Sequence, residues 1–409
     1  MTTREENELL TRVEGDAPMG QMMRENHWIP ALRAARVVAG RDPIRVRLFG
    51  SDFVAFRGQN GQAAFLNEGC PHRGVSLALA RTEDNALRCI FHGWKFDTSG
   101  KCIEVPNHSP DPDKFAANVK VKHYPVREAG GLLWVWLGKG APGKFPELPF
   151  TRLPQSHVFV ASTKIPVNYL QGLEATLDSS HIGFLHRDWV DALGGNYKSV
   201  ASHGAPRYEI YNTPYGFRGA ALRDLEDGTV LARLNEFVLP FHSSTSPAQP
   251  SQSAYQILVP IDDKNTLWYL IRWDRESPMT EYQSKDILGQ PGADLDNWVP
   301  PLGGPEENWG QDREAMRQGS FSGFKAGLLT EDTVVQISMG PIVDRTEEQL
   351  CSADLAIVRM RRLLMQAARD YQSGKAPIGT DPGIQYEKLY ARNGIMPKGA
   401  NWDEYFKVA

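Results

Sequence analysis

Hydrophobic and polar positions divide the chain into two stretches of different rhythm. Residues 27–150 carry short apolar runs at strand spacing. Val46-Arg47-Leu48-Phe49 and Phe53-Val54-Ala55-Phe56-Arg57 flank Gly50-Ser51-Asp52, which predicts two strands joined by a turn. Asn60-Gly61 separates two further apolar runs, a strong hairpin signal. Leu132 to Leu137, enclosed by Gly131 and Gly138, predicts a buried strand. The segment APGKFPELPF, residues 141–150, is rich in Pro and Gly and reads as a linker.

Beyond the linker the pattern mixes periods. Residues 168–186 look helical, and 207–274 alternate strands with turns at Glu226-Asp227-Gly228 and Asp262-Asp263-Lys264-Asn265. Residues 275–310 are polar and broken by Pro and Gly, which predicts a long loop. Thr346-Glu347-Glu348-Gln349 resembles a helix start. Leu355, Val358, Leu363, Leu364 and Ala367 then mark the apolar face of a long final helix. The expectation is an α+β protein: an N-terminal extension (1–26), a β domain (27–140), a linker (141–151) and a mixed domain (152–409).

Composition narrows the class. The 409 residues can bury two or three cores, and 41% hydrophobic with 23% charged residues is ordinary for a globular protein. A net charge of −4 and the lack of a basic stripe argue against a nucleic-acid partner. Residues 1–30 lack the apolar core of a signal peptide, and no run of about eighteen apolar residues occurs, so no membrane span is expected. There are four cysteines, and Cys102 and Cys351 lie far apart, so a disulfide framework is not expected. A cytoplasmic protein is the expectation.

The other two cysteines carry the chemistry. Cys70-Pro71-His72 and Cys89-Ile90-Phe91-His92 flank residues 73–88, and each pair offers one thiol and one imidazole. This is the spacing of a Rieske [2Fe–2S] cluster, in which two cysteines hold one iron and two histidines the other. A zinc site is the rival, but zinc pairs usually run Cys-Cys and then His-His. Pro71, Gly74 and Gly93 favour tight loops around the pairs.

A second site is suggested by Asp178, His181 and His186. Two histidines and a carboxylate form the facial triad of non-haem Fe(II) oxygenases. On an ideal helix His181 and His186 diverge by about 140°, so a shared metal needs a helix break, which Gly183 would permit. Read alone, such a pair is more often two ordinary core or surface histidines than a metal site. The cluster upstream favours the metal, because delivered electrons need a destination.

CPHRG, CIFHGW and the D-x2-H-x4-H of GLEATLDSSHIGFLH together resemble the oxygenase component of Rieske non-haem iron aromatic-ring oxygenases. Ala17-Pro18-Met19-Gly20 and Asp344-Arg345 make the phthalate dioxygenase branch the most similar. The resemblance implies an N-terminal Rieske β domain and a C-terminal helix-grip domain, an antiparallel sheet with helices. It implies that Asp332, in Glu331-Asp332-Thr333-Val334-Val335, is the carboxylate ligand; Glu331, Asp344 and Asp354 are its rivals, and a helix-start carboxylate is the plain alternative. It makes Asp178 the catalytic bridge, accepting hydrogen bonds from His181 and from His92 of a neighbouring chain. That in turn implies a homo-oligomer, a trimer or a dimer of trimers. Glu174 stands near a position often Asn in the family and is given no catalytic role.

Arg207, Arg218, Arg223 and Arg233 fall in the strands that line the pocket in relatives, and Arg207 and Arg233 are the candidates to hold a substrate carboxylate. The implied activity is dioxygenation of an aromatic carboxylate with O2, using electrons from a separate flavin and iron–sulfur NADH reductase. A monooxygenase or O-demethylase of methoxy-aromatics is one alternative, and a pure Rieske electron carrier is another.

Overall fold

A computed structural model describes residues 2–193, 200, 204–246, 252–279, 293–299, 302–324 and 327–407. Helices Arg4–Thr11 and Pro18–Asn26 come first. Thr3 caps the first one: its hydroxyl accepts from Glu6 N while the Glu6 carboxylate accepts from Thr3 N.

Three small antiparallel sheets follow. One contains β1 (Ile29–Arg33), with β10 (Val126–Ala129) and β11 (Leu132–Val135). The next runs β2 (Ile44–Leu48), β3 (Ser51–Arg57), β4 (Ala63–Asn67), β9 (His123–Tyr124). The third is a meander of β5 (Arg81–Glu83), β6 (Ala86–Arg88), β7 (Lys95–Asp97) and β8 (Cys102–Glu104). The Asn60-Gly61 hairpin joins β3 to β4, with Gly61 at φ +85°, a left-handed value that a side chain would strain.

The second half is built on one eight-stranded sheet. Its order is β12 (Val158–Ile165), β18 (Thr266–Asp274), β17 (Gln252–Pro260), β16 (His242–Thr245), β15 (Thr229–Val238), β14 (Gly216–Asp224), β13 (Arg207–Thr213), and β19 (Asn393–Pro397) also pairs with β15. Helix Tyr169–Leu177 packs on β15–β18, and helix Leu355–Gln372 on β13 and β14. Alternation decides what each face of the sheet meets. Leu231 packs with Ile182 and Val190, whereas Ala232 and Leu234 pack with Met396 and Trp402. Leu231, Arg233 and Asn235 therefore face the helices after Tyr169.

One large core runs through both halves, from Trp28, Ile29 and Trp134 to Tyr255 and Trp273. A smaller core of Val54, Phe56, Leu66, Leu87, Trp94 and Phe96 underlies the Cys-His loops.

Three expectations need correction. The helix expected over 168–186 stops at Leu177, and a separate helix runs Arg187–Leu193. The helix expected from Thr346 starts at Leu355 and is not the last, since Trp402–Tyr405 follows. Asp344 Oδ1 accepts from the Thr346 amide and hydroxyl, which holds Thr346 in a turn. The apolar face of that helix is Ala356, Met360, Leu363, Leu364, Ala367 and Ala368; of the five residues expected there Leu363, Leu364 and Ala367 are buried, Val358 is half-buried and Leu355 is exposed. The loop expected at 275–310 lies partly outside the described residues; 275–279, 293–299 and 302–304 contain no helix or strand, whereas Pro305–Gly310 forms a short 3-10 segment.

Candidate metal centres

The two Cys-His loops have matching backbones. Cys70 N donates to Val75 O at 2.8 Å and Gly74 N to Cys70 O at 2.8 Å. Cys89 N donates to Trp94 O at 2.8 Å and Gly93 N to Cys89 O at 3.0 Å. Gly74 and Gly93 close the loops at φ +77° and +76°. The repeated motif thus makes two equivalent fingers. Both thiols are buried, and the rings of His72 and His92 lie 4.5 Å apart. Burial, with Cys89 alongside, pushes the Cys70 thiol up to about 11. His92 Nδ1 is buried without a hydrogen-bond partner among the described residues. His72 stacks on Trp94 at 4.4 Å and 12°, and Trp94 Nε1 donates to Asn107 Oδ1 at 2.7 Å. Two thiols and two imidazoles converging from paired loops fit a Rieske cluster.

The second centre begins where the helix Tyr169–Leu177 breaks. Asp178 Oδ1 accepts from the Ser180 amide and hydroxyl at 2.7 and 2.6 Å. Its Oδ2 accepts from His181 N at 3.3 Å and lies 3.2 Å from His181 Nδ1. This carboxylate turn competes with the helical backbone and ends the helix. The break therefore falls at Asp178–Ser180 rather than at Gly183. His181 and His186 come to lie on different turns, which removes the 140° divergence. Despite burial, the bonds from His181 and Ser180 hold the Asp178 carboxyl well below the usual range.

The sheet holds the broken backbone. Asn235 Nδ2 donates to Leu177 O at 3.0 Å, Ser179 N donates to Tyr208 Oη at 2.7 Å, and an Arg223 NH2 donates to Ser179 O at 2.9 Å. Asn235 and Tyr208 were not among the expected site residues, and Arg223 was expected only as one of four pocket-region arginines, not as a support of this backbone. Their inward alternation on β13–β15 was readable, but its target was not.

Helix Leu328–Ser338 supplies the carboxylates. Asp332 Oδ1 lies 3.1 Å from His186 Nε2 and 3.6 Å from His181 Nε2. One ligand atom from each of these three residues lies within 4.8 Å of the others. Burial disfavours a charged imidazole at His186, yet Asp332 and Glu331 outweigh it and raise its pKa to about 9. The pocket is arranged to hold positive charge, which an Fe(II) would supply in the proton's place. The rival carboxylates are engaged otherwise. Glu331 Oε2 lies 2.7 Å from the other ring nitrogen of His186, Asp344 holds Thr346, and Asp354 Oδ2 accepts from Cys351 N at 2.8 Å. Glu174 is buried against Arg345 and Arg361 at 2.9 and 2.7 Å, a bond set that ties helices together.

The two arginine candidates part company. Arg233 shares the inner face with Asn235, and its Nε is buried without a hydrogen-bond partner among the described residues. Arg207 pairs with Leu222 across β13 and β14, on the opposite face from Tyr208. Its side chain is 63% exposed and pairs with Glu209. Arg223 is buried, and burial with the nearby Arg233 charge lowers its pKa to about 10.

Comparison with known proteins agrees with these centres. Residues 27–125 match the Rieske [2Fe-2S] domain, and residues 135–408 match the domain described as LigXa C-terminal domain like. The oxygenase subunit of phthalate 4,5-dioxygenase from Pseudomonas putida is 39% identical, over 99% of this chain and 95% of that one. The oxygenase subunit of 3-chlorobenzoate-3,4-dioxygenase from Comamonas testosteroni is 35% identical, over 100% and 98%. The solved structure of a Pseudomonas putida CBB5 NdmA mutant with theobromine shares the fold at TM-score 0.61 and 17% identity, over 94% and 99% of the two chains. With fingers for the cluster and a separate His-His-Asp pocket in one polypeptide, the chain belongs to the Rieske non-haem iron oxygenases, as an oxygenase component of the phthalate dioxygenase-like branch.

Proposed function

We propose that the protein hydroxylates the ring of an aromatic carboxylate of the phthalate, halobenzoate or phenoxybenzoate class, giving a cis-dihydrodiol. The observation that carries this is the buried Nε of Arg233, without a hydrogen-bond partner among the described residues, on the sheet face that also holds the His181 segment. Cys70, His72, Cys89 and His92 hold the cluster, and His181, His186 and Asp332 hold the iron. Bound there, the two groups supply one-electron transfer and O2 activation.

The protein's own side chains do the rest. Asp178 orients His181 through Nδ1, and in a homotrimer it also accepts from His92 of a neighbouring chain, which joins the two centres between subunits. Arg233 receives the substrate carboxylate and fixes the ring's orientation; Arg207, paired with Glu209, is the weaker candidate. The electrons come from a separate flavin and iron–sulfur NADH reductase. Among the described residues no helix is long and apolar enough to cross a membrane.

The test is a panel of aromatic carboxylates and uncharged analogues with a surrogate reductase. Dihydrodiol product from the carboxylates supports the reading, whereas formaldehyde from methoxy-aromatics would make the protein an O-demethylase. Arg233→Ala should raise KM for the carboxylate by at least roughly tenfold, since a charge-assisted hydrogen bond contributes about 1.5–3 kcal/mol. The uncharged analogue should be little affected. A tenfold effect in Arg207→Ala with none in Arg233→Ala would move the contact to Arg207.

A further inference from the structure

Each histidine of the second centre has a carboxylate at its far nitrogen, but the two carboxylates are unlike. Asp178, behind His181, is 20% exposed. Glu331, behind His186, is sealed at 6%, and its Oε2 lies 2.7 Å from His186 Nδ1. Its neighbour Asp332 meets the other nitrogen of the same ring at 3.1 Å. Consecutive residues of one helix thus clasp both sides of His186.

Glu331 is itself held. The buried Ser322 hydroxyl donates to its Oε1, and Ser322 Oγ also accepts from Phe324 N at 3.3 Å. Immediately upstream, Ser320 Oγ donates to Asp188 Oδ2 at 2.6 Å, and Phe321 N reaches both Asp188 oxygens at 3.1 Å. Asp188 lies in the helix that starts just after His186. The contacts therefore close a ring: His186, Glu331, Ser322, Ser320 with Phe321, Asp188, and back along the chain to His186.

We infer that Glu331 is a positioning residue that fixes His186 with its proton on Nδ1 and Nε2 free for the metal, and that Ser322 fixes Glu331. The physical reason is the tautomer. A neutral imidazole has one donor and one acceptor nitrogen. A carboxylate at Nδ1 holds the proton there, orients the ring and raises the basicity of Nε2. A ring free to turn would lose both benefits. The inference rests on the reading of His181, His186 and Asp332 as ligands, so that reading is checked first: the parent protein must bind a divalent metal and Asp332→Ala must not.

The experiment is titration of the iron-depleted, cluster-loaded protein with Co(II), followed by its visible ligand-field spectrum. The cluster's own absorption and the thermal midpoint report the fold. Glu331→Gln keeps the volume but loses the charge, and should weaken Co(II) binding by roughly 10–100-fold with the cluster spectrum unchanged. Glu331→Asp should recover part of that loss. Ser322→Ala should weaken binding by about fivefold, a smaller effect because that bond acts on the metal only through Glu331. Affinity within twofold of the parent in both Glu331→Gln and Ser322→Ala would overturn the inference. So would loss of the cluster spectrum and of cooperative melting in both, which would make the pair a part of the core only. If the parent fails to bind Co(II), it is the ligand assignment that falls.

Discussion

The two metal centres are built on opposite plans. The proposed cluster ligands lie within residues 70–92, on two fingers that each close through their own backbone hydrogen bonds. The proposed mononuclear ligands, His181, His186 and Asp332, meet only when helix Leu328–Ser338 docks beside a broken helix. The first site is encoded in local chain geometry; the second exists only in the finished tertiary structure. Damage at a distance should therefore reach the second sooner than the first.

The sharpest break in that comparison comes from the ligands themselves. Cys70→Ser should abolish the cluster's visible absorption and its EPR signal. Asp332→Ala should abolish turnover and mononuclear metal while leaving that signal intact. Metal analysis should fall from about three irons per chain to about one in the first case and about two in the second. An Asp332→Ala protein that kept its third iron would move the ligand to another carboxylate.

Asp178→Asn comes next, because it leaves both centres loaded. The amide keeps the size but removes the ionised acceptor for His181. Steady turnover should drop roughly a hundredfold while the reductase still reduces the cluster, as stopped-flow absorbance would read. Near-parental turnover would leave Asp178 as a helix-ending residue alone.

Acid should weaken the seam between the halves. His27 opens the Rieske half and His242 lies on β16, beneath Trp134 of β11 at 6.3 Å and 2°. Burial lowers their pKa values to about 4 and about 3. An unfolded histidine titrates near 6.5, so below that pH the unfolded chain binds protons the folded chain refuses. Stability from these groups is complete above about pH 6.5 and falls as the pH approaches 4. The loss is on the order of 3 kcal/mol per group. Thermal midpoints from pH 7 to 4 should show it, and His242→Gln should flatten the slope; an unchanged slope would place the acid sensitivity elsewhere.

The smallest effect compares the fingers with each other. A Cβ at Gly93 would lie 2.8 Å from Pro106 Cγ, whereas one at Gly74 would meet nothing within 4 Å. Both replacements impose a left-handed alanine, of about 1 kcal/mol. Gly93→Ala should therefore shed its cluster faster under chelation than Gly74→Ala. Equal rates would mean that the Pro106 ring moves aside freely.

Legibility in the sequence follows the same divide. The cluster motif could be read from spacing because its geometry is short-range, and hairpin Asn60-Gly61 for the same reason. The histidine pair was readable only with the cluster as context, and Asp332 only through family resemblance, since no spacing rule spans residues 187–331. Asp178 was expected to touch His181, but not to end the helix itself; the sequence pointed to Gly183 because glycine is the commoner breaker. The backing of His186 by Glu331 was hidden, because Glu331 looked like a rival of Asp332 rather than its complement. Arg207 and Arg233 looked alike until the strand pairing put them on opposite faces.

The helices Arg4–Thr11 and Pro18–Asn26 are joined to the second half of the chain. Tyr169 Oη donates to Leu10 O at 2.7 Å, Asn168 Nδ2 to Thr11 O at 2.8 Å, and Asn7 Nδ2 to Val343 O at 3.0 Å. Leu10, Met19, Met22 and Met23 are fully buried there. Polypeptide leaving the ribosome must therefore carry these apolar side chains without their full cover while the whole cluster-bearing half is made, until helix Leu355–Gln372 completes their seat more than 300 residues later. A clone cut at the linker would leave that seat bare on one fragment and its plug on the other, so the two halves, though distinct in chemistry, are a single cooperative unit for expression and refolding.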